Sequence, residues 1–137
     1  PLPHLERFRL IHEGPADGIP ISVLFEEEQR DAVPYKLWEI VPGAVIPVML
    51  PPGERVEARL AVETPIGRRF VYRARAVSDA EGVATLRVPY ATGATTGTRT
   101  GTSYLLDGDG KRWRAQVPEA AVRKSQTVFP ALDAPRN

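Results

Sequence analysis

The sequence contains no cysteine, only two histidines and no long apolar run. The missing cysteines exclude disulfides, thiolate metal sites and cysteine nucleophiles. His4 and His12 have no suitably spaced histidine partner, which argues against a transition-metal site. No run approaches the roughly eighteen apolar residues of a membrane-spanning helix. The N-terminus carries no signal-peptide pattern, and it begins Pro-Leu-Pro without an initiator methionine, so we expect a start within a longer protein.

The chain also lacks a large excess of either charge, because its net charge is only +1 at pH 7. This balance gives no general attraction to nucleic acid or to anionic lipid, and we do not expect nucleic acid as a partner. Fifteen of the eighteen basic residues are arginine, a bias that a GC-rich genome explains as well as anion binding does. At 137 residues and 42% apolar composition, the chain has the size and character of one globular domain.

Fourteen prolines and eleven glycines divide the sequence into short runs that alternate between apolar and polar residues. The alternation is clearest in RVEARLAVET (55–64), RRFVYRARAV (68–77) and VATLRVPY (83–90), which predict three consecutive strands joined as hairpins. In AVIPVML (44–50), Pro47 predicts an edge or a bulge because proline cannot donate to a strand ladder.

Further short strands are predicted on both sides of this block, and helical periodicity never extends beyond about two turns. PEAAVRKS (118–125) is compatible with one helical turn or with another strand. The predicted fold is mainly β, a single antiparallel β-sandwich of seven to nine short strands with little helix. The other predicted strands of the sandwich are 35–41, 103–106, 112–117 and 126–132, and two further strands, 8–14 and 21–26, precede it.

Several motifs invite a functional interpretation, and each has a simpler structural one. Asp107-Gly108-Asp109-Gly110 could belong to a metal loop, but Lys111 and Arg112 follow where further oxygen ligands are needed, so we interpret it as a hairpin turn. Three glutamates (26–28) are interpreted as a solvated patch. Trp38 and Trp113 could stack on sugar rings, but core or rim packing is the commoner role.

A segment of twelve residues, ATGATTGTRTGT (91–102), has six threonines, three glycines and no large apolar side chain. This composition predicts a long mobile loop, with binding of a peptide or glycan as the alternative. The tyrosines at its two ends would offer stacking faces. The candidate contact residues are Tyr90, Thr92, Thr96, Thr98, Arg99 and Tyr104. No catalytic constellation is found, so no activity is expected from this chain alone.

FRLIHEG (8–14), YKLWEIVPGAVI (35–46) and RVEARLAVETPIGRRFVYRARAVSDAEGVATLRVPYAT (55–92) together are similar to a known family. They resemble the extracytoplasmic C-terminal region of oligosaccharyltransferase catalytic subunits of the archaeal type. The resemblance implies that residues 1–34 end the preceding soluble core region and connect it to a peripheral β-sandwich domain at 35–132. Residues 133–137 would be a frayed tail.

The family's activity would be transfer of a lipid-linked oligosaccharide to Asn in the Asn-x-Ser/Thr sequon of an acceptor polypeptide, assisted by a divalent metal (Mn or Mg). No catalytic residue carries over, because the Trp-Trp-Asp-Tyr-Gly signature is absent and the metal-binding acidic residues belong to the membrane half. The resemblance thus implies a non-catalytic domain on the extracytoplasmic side, attached to the remainder of a membrane protein. This role would be structural or at the mouth of the substrate site.

A second interpretation remains open at this point. The alternating strands and the Asp-x-x-Gly turn at 79–82 also look like the prealbumin or carboxypeptidase-regulatory type of β-sandwich. In that case the chain would be a stand-alone binding or structural module of an exported protein.

Overall fold

The structure is a computed structural model that describes residues 6–14 and 35–133. Within these residues the chain is mainly β, with eight strands of five or more residues, two strands of two residues and one short helix. The elements in chain order are β1 (Phe8–Gly14), β2 (Tyr35–Ile40), β3 (Ala44–Met49), β4 (Arg55–Glu63), β5 (Arg69–Val77), β6 (Val83–Val88), β7 (Arg99–Thr100), β8 (Tyr104–Gly108), β9 (Lys111–Ala115), α1 (Glu119–Lys124) and β10 (Ala131–Leu132).

The strands form one large sheet and two pairs, and every pairing between these strands is antiparallel. The large sheet has the order β10-β9-β8-β4-β5, with β7 pairing to the far end of β4. β3 pairs with β6, and β1 pairs with β2. The prediction of an antiparallel, mainly β architecture with little helix is therefore confirmed.

A single apolar cluster joins the large sheet to the β3–β6 pair. β4 shows why: its residues alternate between buried and more exposed, as its sequence predicted. Ala58 and Leu60 are essentially inaccessible to solvent, and so are Ile46 on β3 and Leu86 on β6. Alternate side chains of a strand point to opposite faces, so one face of each sheet is available for this core.

Pro47 lies on an outer edge, as its chemistry requires. Its neighbour two residues earlier, Val45, donates its N–H to Gln126 O (3.0 Å) and accepts from Val128 N–H (2.8 Å). Residues two apart in a strand point their backbone groups the same way, so the nitrogen of Pro47 faces away from β6 and costs the ladder no hydrogen bond.

The predicted hairpin at residues 107–110 is also confirmed. β8 and β9 pair so that Gly108 is opposite Lys111, which leaves Asp109 and Gly110 as a two-residue turn. Both have positive φ, 51° and 70°. Asp and Gly tolerate this conformation, and such turns suit the twist of paired strands.

The three strands predicted between residues 55 and 90 exist and correspond to β4, β5 and β6. The predicted hairpin between the second and the third of them is wrong. β4 pairs with β5 along its whole length, whereas β6 crosses to the other layer and pairs with β3. Ser78, the residue after β5, anchors the chain at this crossing: its hydroxyl donates to Pro51 O (2.5 Å) and accepts from Glu54 N–H (3.0 Å). These bonds anchor the chain at the turn after β3, so β6 starts beside β3.

Several predictions fall outside the described residues, namely the strand at 21–26, the glutamates at 26–28 and most of the tail at 133–137. Asp133 is described, and its N–H donates to Arg112 O (2.8 Å). Across the described part of the chain, no helix has the length and apolar character needed to span a bilayer.

Candidate functional site

A cleft of about 310 Å³ lies between the β1–β2 hairpin, the threonine- and glycine-rich loop at 91–102 and helix α1. Three of the six candidate contact residues, Tyr90, Thr96 and Thr98, line it. Charged side chains from β1, β2 and α1 form its other wall. The cleft therefore coincides with the surface on which the hairpin docks against the sandwich.

Arg9 is the centre of the charged wall, and only 8% of the residue is exposed. Its two terminal nitrogens donate to the two carboxylate oxygens of Glu119, each at 2.7 Å, and its Nε donates to Glu39 Oε1 at 2.9 Å. Arg123 contacts the same two carboxylates, at 2.7 Å for Glu119 and 3.2 Å for Glu39. This four-residue group, which we call the Arg9 clamp, ties β1 and β2 to α1.

The electrostatics of the Arg9 clamp favour its charged form. The hydrogen bond from Arg9 is the main reason that the pKa of Glu119 lies below its ordinary value. The hydrogen bond to Glu119 likewise raises the pKa of Arg9, against the opposing effect of burial. A bidentate pair of this kind is strong and directional. A carboxylate held ionised in this way is a poor proton donor, so the clamp is suited to fastening two elements rather than to acid catalysis.

Two neutral hydrogen bonds hold the backbone of β1 beside the clamp. Leu10, which is 1% exposed, donates its N–H to the hydroxyl of Tyr90 (2.8 Å), and its carbonyl accepts from Thr98 Oγ1 (2.9 Å). The hydroxyl of Tyr104 in turn donates to Tyr90 O (2.7 Å). Burial raises the pKa of both tyrosines, so they remain neutral hydrogen-bonding groups.

The six candidate contact residues thus have different environments. Tyr104 is fully buried and Tyr90 is 3% exposed, so neither ring offers the stacking face expected of it. Thr92 bonds to Val117, accepting its N–H at 2.9 Å. Only Thr96 and Arg99 are exposed, and Arg99 lies apart from the cleft, at a groove of about 500 Å³ formed by β4, β5 and β7.

The loop at 91–102 is tied down by hydrogen bonds, contrary to the prediction of a long mobile loop. Gly93 N–H donates to Gly101 O (2.7 Å), and Thr100 N–H donates to Ala94 O (3.0 Å). The hydroxyl of Thr100 also donates to Ala91 O (2.7 Å). Threonine hydroxyls and glycine backbone groups supply internal bonds that substitute for the missing apolar contacts.

The sequence also raised the two tryptophans and a metal site as functional candidates. Trp113 is 8% exposed and belongs to the core, whereas Trp38 on β2 is 45% exposed. Among residues 6–14 and 35–133, no three His, Asp or Glu side chains group closely enough to hold a metal ion.

The Arg9 clamp was not predicted from the sequence. Arg9 and Glu119 are 110 positions apart, and no local pattern marks either of them.

Comparisons with known proteins identify the family to which this architecture belongs. A family model for the archaeal glycosylation protein B long peripheral domain matches residues 43–128. That match covers more than half of the chain, and the chain belongs to this family. It favours the first interpretation of the sequence over the stand-alone module. A search of curated protein sequences finds no match.

Solved structures of an oligosaccharyltransferase from Archaeoglobus fulgidus share the fold. The protein in complex with Zn and sulfate has a TM-score of 0.71 at 16% identity, covering 91% of this chain and 22% of that chain. The complex with an inhibitory peptide and a dolichol-phosphate has a TM-score of 0.72 at 14% identity, covering 96% and 21%. The protein tethered to an acceptor peptide with the NVT sequon has a TM-score of 0.62 at 20% identity, covering 69% and 11%.

The TM-scores show a shared fold, and at identities of 14–20% the likeness shows the fold alone. The chain spans about a fifth of the length of the first of these structures, whose activity therefore belongs to a much longer protein. The chain is thus a peripheral β domain of the archaeal glycosylation protein B type, with the β1–β2 hairpin docked beside the region that the family model matches.

Proposed function

We propose that this chain is a non-catalytic domain of a membrane oligosaccharyltransferase, on its extracytoplasmic side. The parent enzyme would transfer a lipid-linked glycan to Asn of Asn-x-Ser/Thr in an acceptor polypeptide, with a divalent metal held outside this chain. The family match at 43–128 carries the proposal. It is supported by the related protein, whose structures contain an acceptor peptide, a dolichol-phosphate and Zn.

We infer that the division of the chain follows the family's domain plan. Residues 1–34 would end the preceding soluble unit, 35–132 would form the peripheral domain, and 133–137 would be its tail. The family match begins at residue 43, just after β2, which supports a change of unit close to the hairpin. In this view the Arg9 clamp fixes the angle between the end of one unit and the start of the next.

The same arrangement favours a structural role over direct contact with substrate. Four of the six candidate contact residues already bond within the chain: Thr92 and Tyr104 inside the domain, and Tyr90 and Thr98 to Leu10 of β1. A contact with peptide or glycan at the mouth of the substrate site would therefore fall to Thr96 and Arg99, the two with exposed side chains.

The proposal is tested in the parent reading frame. We expect several membrane-spanning segments and an aromatic-Asp-Tyr-Gly signature upstream of Pro1. The parent enzyme should glycosylate an Asn-x-Thr peptide from a lipid-linked donor, and the 137-residue chain alone should not. A parent frame without membrane segments, or turnover by the isolated chain, would overturn the proposal.

A variant pair then separates the two roles. If the domain touches substrate, Thr96→Ala with Arg99→Ala in the parent raises KM for the peptide and leaves kcat unchanged. The matched control is Thr85→Ala with Arg7→Ala, which removes the same groups from exposed positions outside the loop at 91–102 and outside the groove that Arg99 lines. If the role is purely structural, both pairs leave KM unchanged.

A further inference from the structure

The outer face of the large sheet carries an excess of positive charge. The strand register places the side chains of one phase of β4, β5, β7, β8 and β9 on this face, opposite the apolar core, and Asp133 joins it through its ion pair with Arg114. Eight arginines and four carboxylates lie there, which leaves four uncompensated positive charges on one face of a chain whose net charge is +1. We call it the arginine face: Arg55, Arg59, Arg69, Arg73, Arg75, Arg99, Arg112 and Arg114 with Glu57, Glu63, Asp107 and Asp133.

The carboxylates on this face do not neutralise all of its arginines, because three carboxylates are each shared by two arginines. Glu57 contacts Arg73 at 3.5 Å and Arg75 at 2.9 Å. Asp107 contacts Arg112 at 2.7 Å and, from the other side, Arg59 at 2.8 Å.

The third shared carboxylate, Glu63, contacts Arg69 at 3.2 Å and also Arg99. Each of these three groups therefore carries one surplus positive charge and keeps guanidinium donors exposed. The side chain of Arg69, for example, is 83% exposed.

The shape of the arginine face limits the kind of anion that fits it. Five strands about 4.8 Å apart make a surface roughly 20 Å wide, over which the arginines are spread and do not converge on one point. Val71 and Val77 are also exposed among them, at 47% and 57%. A broad surface of forked phosphate-binding groups interspersed with apolar side chains matches the headgroup layer of a bilayer better than a single small anion.

We propose that the arginine face binds anionic lipid headgroups and lays this sheet of the domain on a membrane surface. The inference rests on the proposed function for the presence of a bilayer near the domain. The experiment below uses no glycan transfer, so its failure would leave the proposed function untouched.

The test is co-sedimentation of the 137-residue chain with vesicles. Binding is expected with equal parts of phosphatidylglycerol and phosphatidylcholine, little with phosphatidylcholine alone, and it should weaken steeply as salt is added. Arg73→Gln with Arg75→Gln removes two charges from the face, and binding should fall by more than about tenfold, since each basic residue near an anionic surface contributes measurably.

The matched control is Arg7→Gln with Lys124→Gln, which removes the same charge from exposed residues that do not belong to the large sheet. It should bind like the unaltered chain, and circular dichroism should show both variants folded. Equal losses in the two variants would reduce the effect to net charge and overturn the assignment of the face. Binding of soluble polyphosphate without binding to the anionic vesicles would overturn the lipid as partner.

Discussion

The sandwich and the β1–β2 hairpin adjoin each other, yet different forces hold them. The sandwich buries a continuous cluster of apolar side chains between its two sheets. The hairpin leaves Leu37, Trp38 and Ile40 largely exposed, at 51%, 45% and 72%, whereas Leu10 is fully buried. Its attachment is made by the Arg9 clamp and by hydrogen bonds to Leu10.

The difference teaches how such a domain can be stable and still be adjustable at its junction. Apolar burial involves no titrating group and is not screened by salt, whereas ion pairs respond to both pH and ionic strength. Each bond of the second kind contributes only about 1 kcal/mol or somewhat more, so the hairpin should open at a lower cost than the sandwich.

The largest effect is expected from a cavity in the sandwich. Leu60→Ala removes a fully buried side chain of β4 and should lower the free energy of unfolding by about 2–5 kcal/mol. Leu132→Ala is the matched control, because Leu132 is 57% exposed and its loss should cost less than about 0.5 kcal/mol. Denaturant unfolding measures both. Similar costs for the two variants would contradict the assignment of the core.

A smaller and more local effect is expected from Arg9→Gln. The change removes the buried cation from the carboxylates of Glu39 and Glu119, which keep their contacts with Arg123, and should weaken docking of the hairpin by about 1–3 kcal/mol. Hydrogen exchange should accelerate at Leu10 and change little at Leu60. Arg7→Gln, at an exposed position just before β1, is the control. Equal acceleration at both leucines would mean that hairpin and sandwich open as one unit.

The hydrogen bond to Tyr90 should contribute about 1 kcal/mol to docking. Tyr90→Phe keeps the ring and removes the oxygen that accepts from Leu10 N–H, so exchange of that amide should accelerate by several-fold. Tyr104→Phe removes a buried hydroxyl that bonds within the sandwich instead. The structure would be contradicted if the Leu10 amide lost its protection against exchange in the Tyr104 variant but kept it in the Tyr90 variant.

The same contrast explains which features could be predicted from the sequence. Strand β4, the turn at Asp109-Gly110 and the outer position of Pro47 follow from local rules, namely alternation, tolerance of positive φ and a missing N–H. These rules state which side of a strand is buried. They do not state which strand lies next to it, so the crossing of β6 to β3 was missed.

The site was predicted less well for a related reason. Loop composition pointed to residues 91–102, and the loop does line the cleft. The Arg9 clamp depends on residues 30 and 110 positions apart, which only the folded chain brings together. Tyr90 and Tyr104 look like exposed loop ends in the sequence. Tyr90 continues the buried phase of β6 and bonds to Leu10 of β1, whereas Tyr104 shares the buried phase of Leu106 on β8 and belongs to the core of the sandwich.

The smallest predicted effect is a difference between the hairpin and the sandwich in their sensitivity to acid. The pKa of Glu119 is lowered, chiefly by its hydrogen bond from Arg9, so the docked state binds fewer protons than the undocked state near the ordinary value of 4.5. Its contribution is therefore fully present above that pH and is lost as the pH falls through the lowered pKa. The side chain is 46% exposed, so solvent screening should keep the effect below about 1 kcal/mol. The protection factor of the Leu10 amide, which corrects for the slower intrinsic exchange in acid, should fall on acidification before that of Leu60, and Glu119→Gln should remove this difference. Asp107→Asn is the control, because Asp107 also has a lowered pKa, chiefly through Arg112, but lies on the large sheet. An unchanged acid response of Leu10 in Glu119→Gln would show that the clamp does not hold the hairpin.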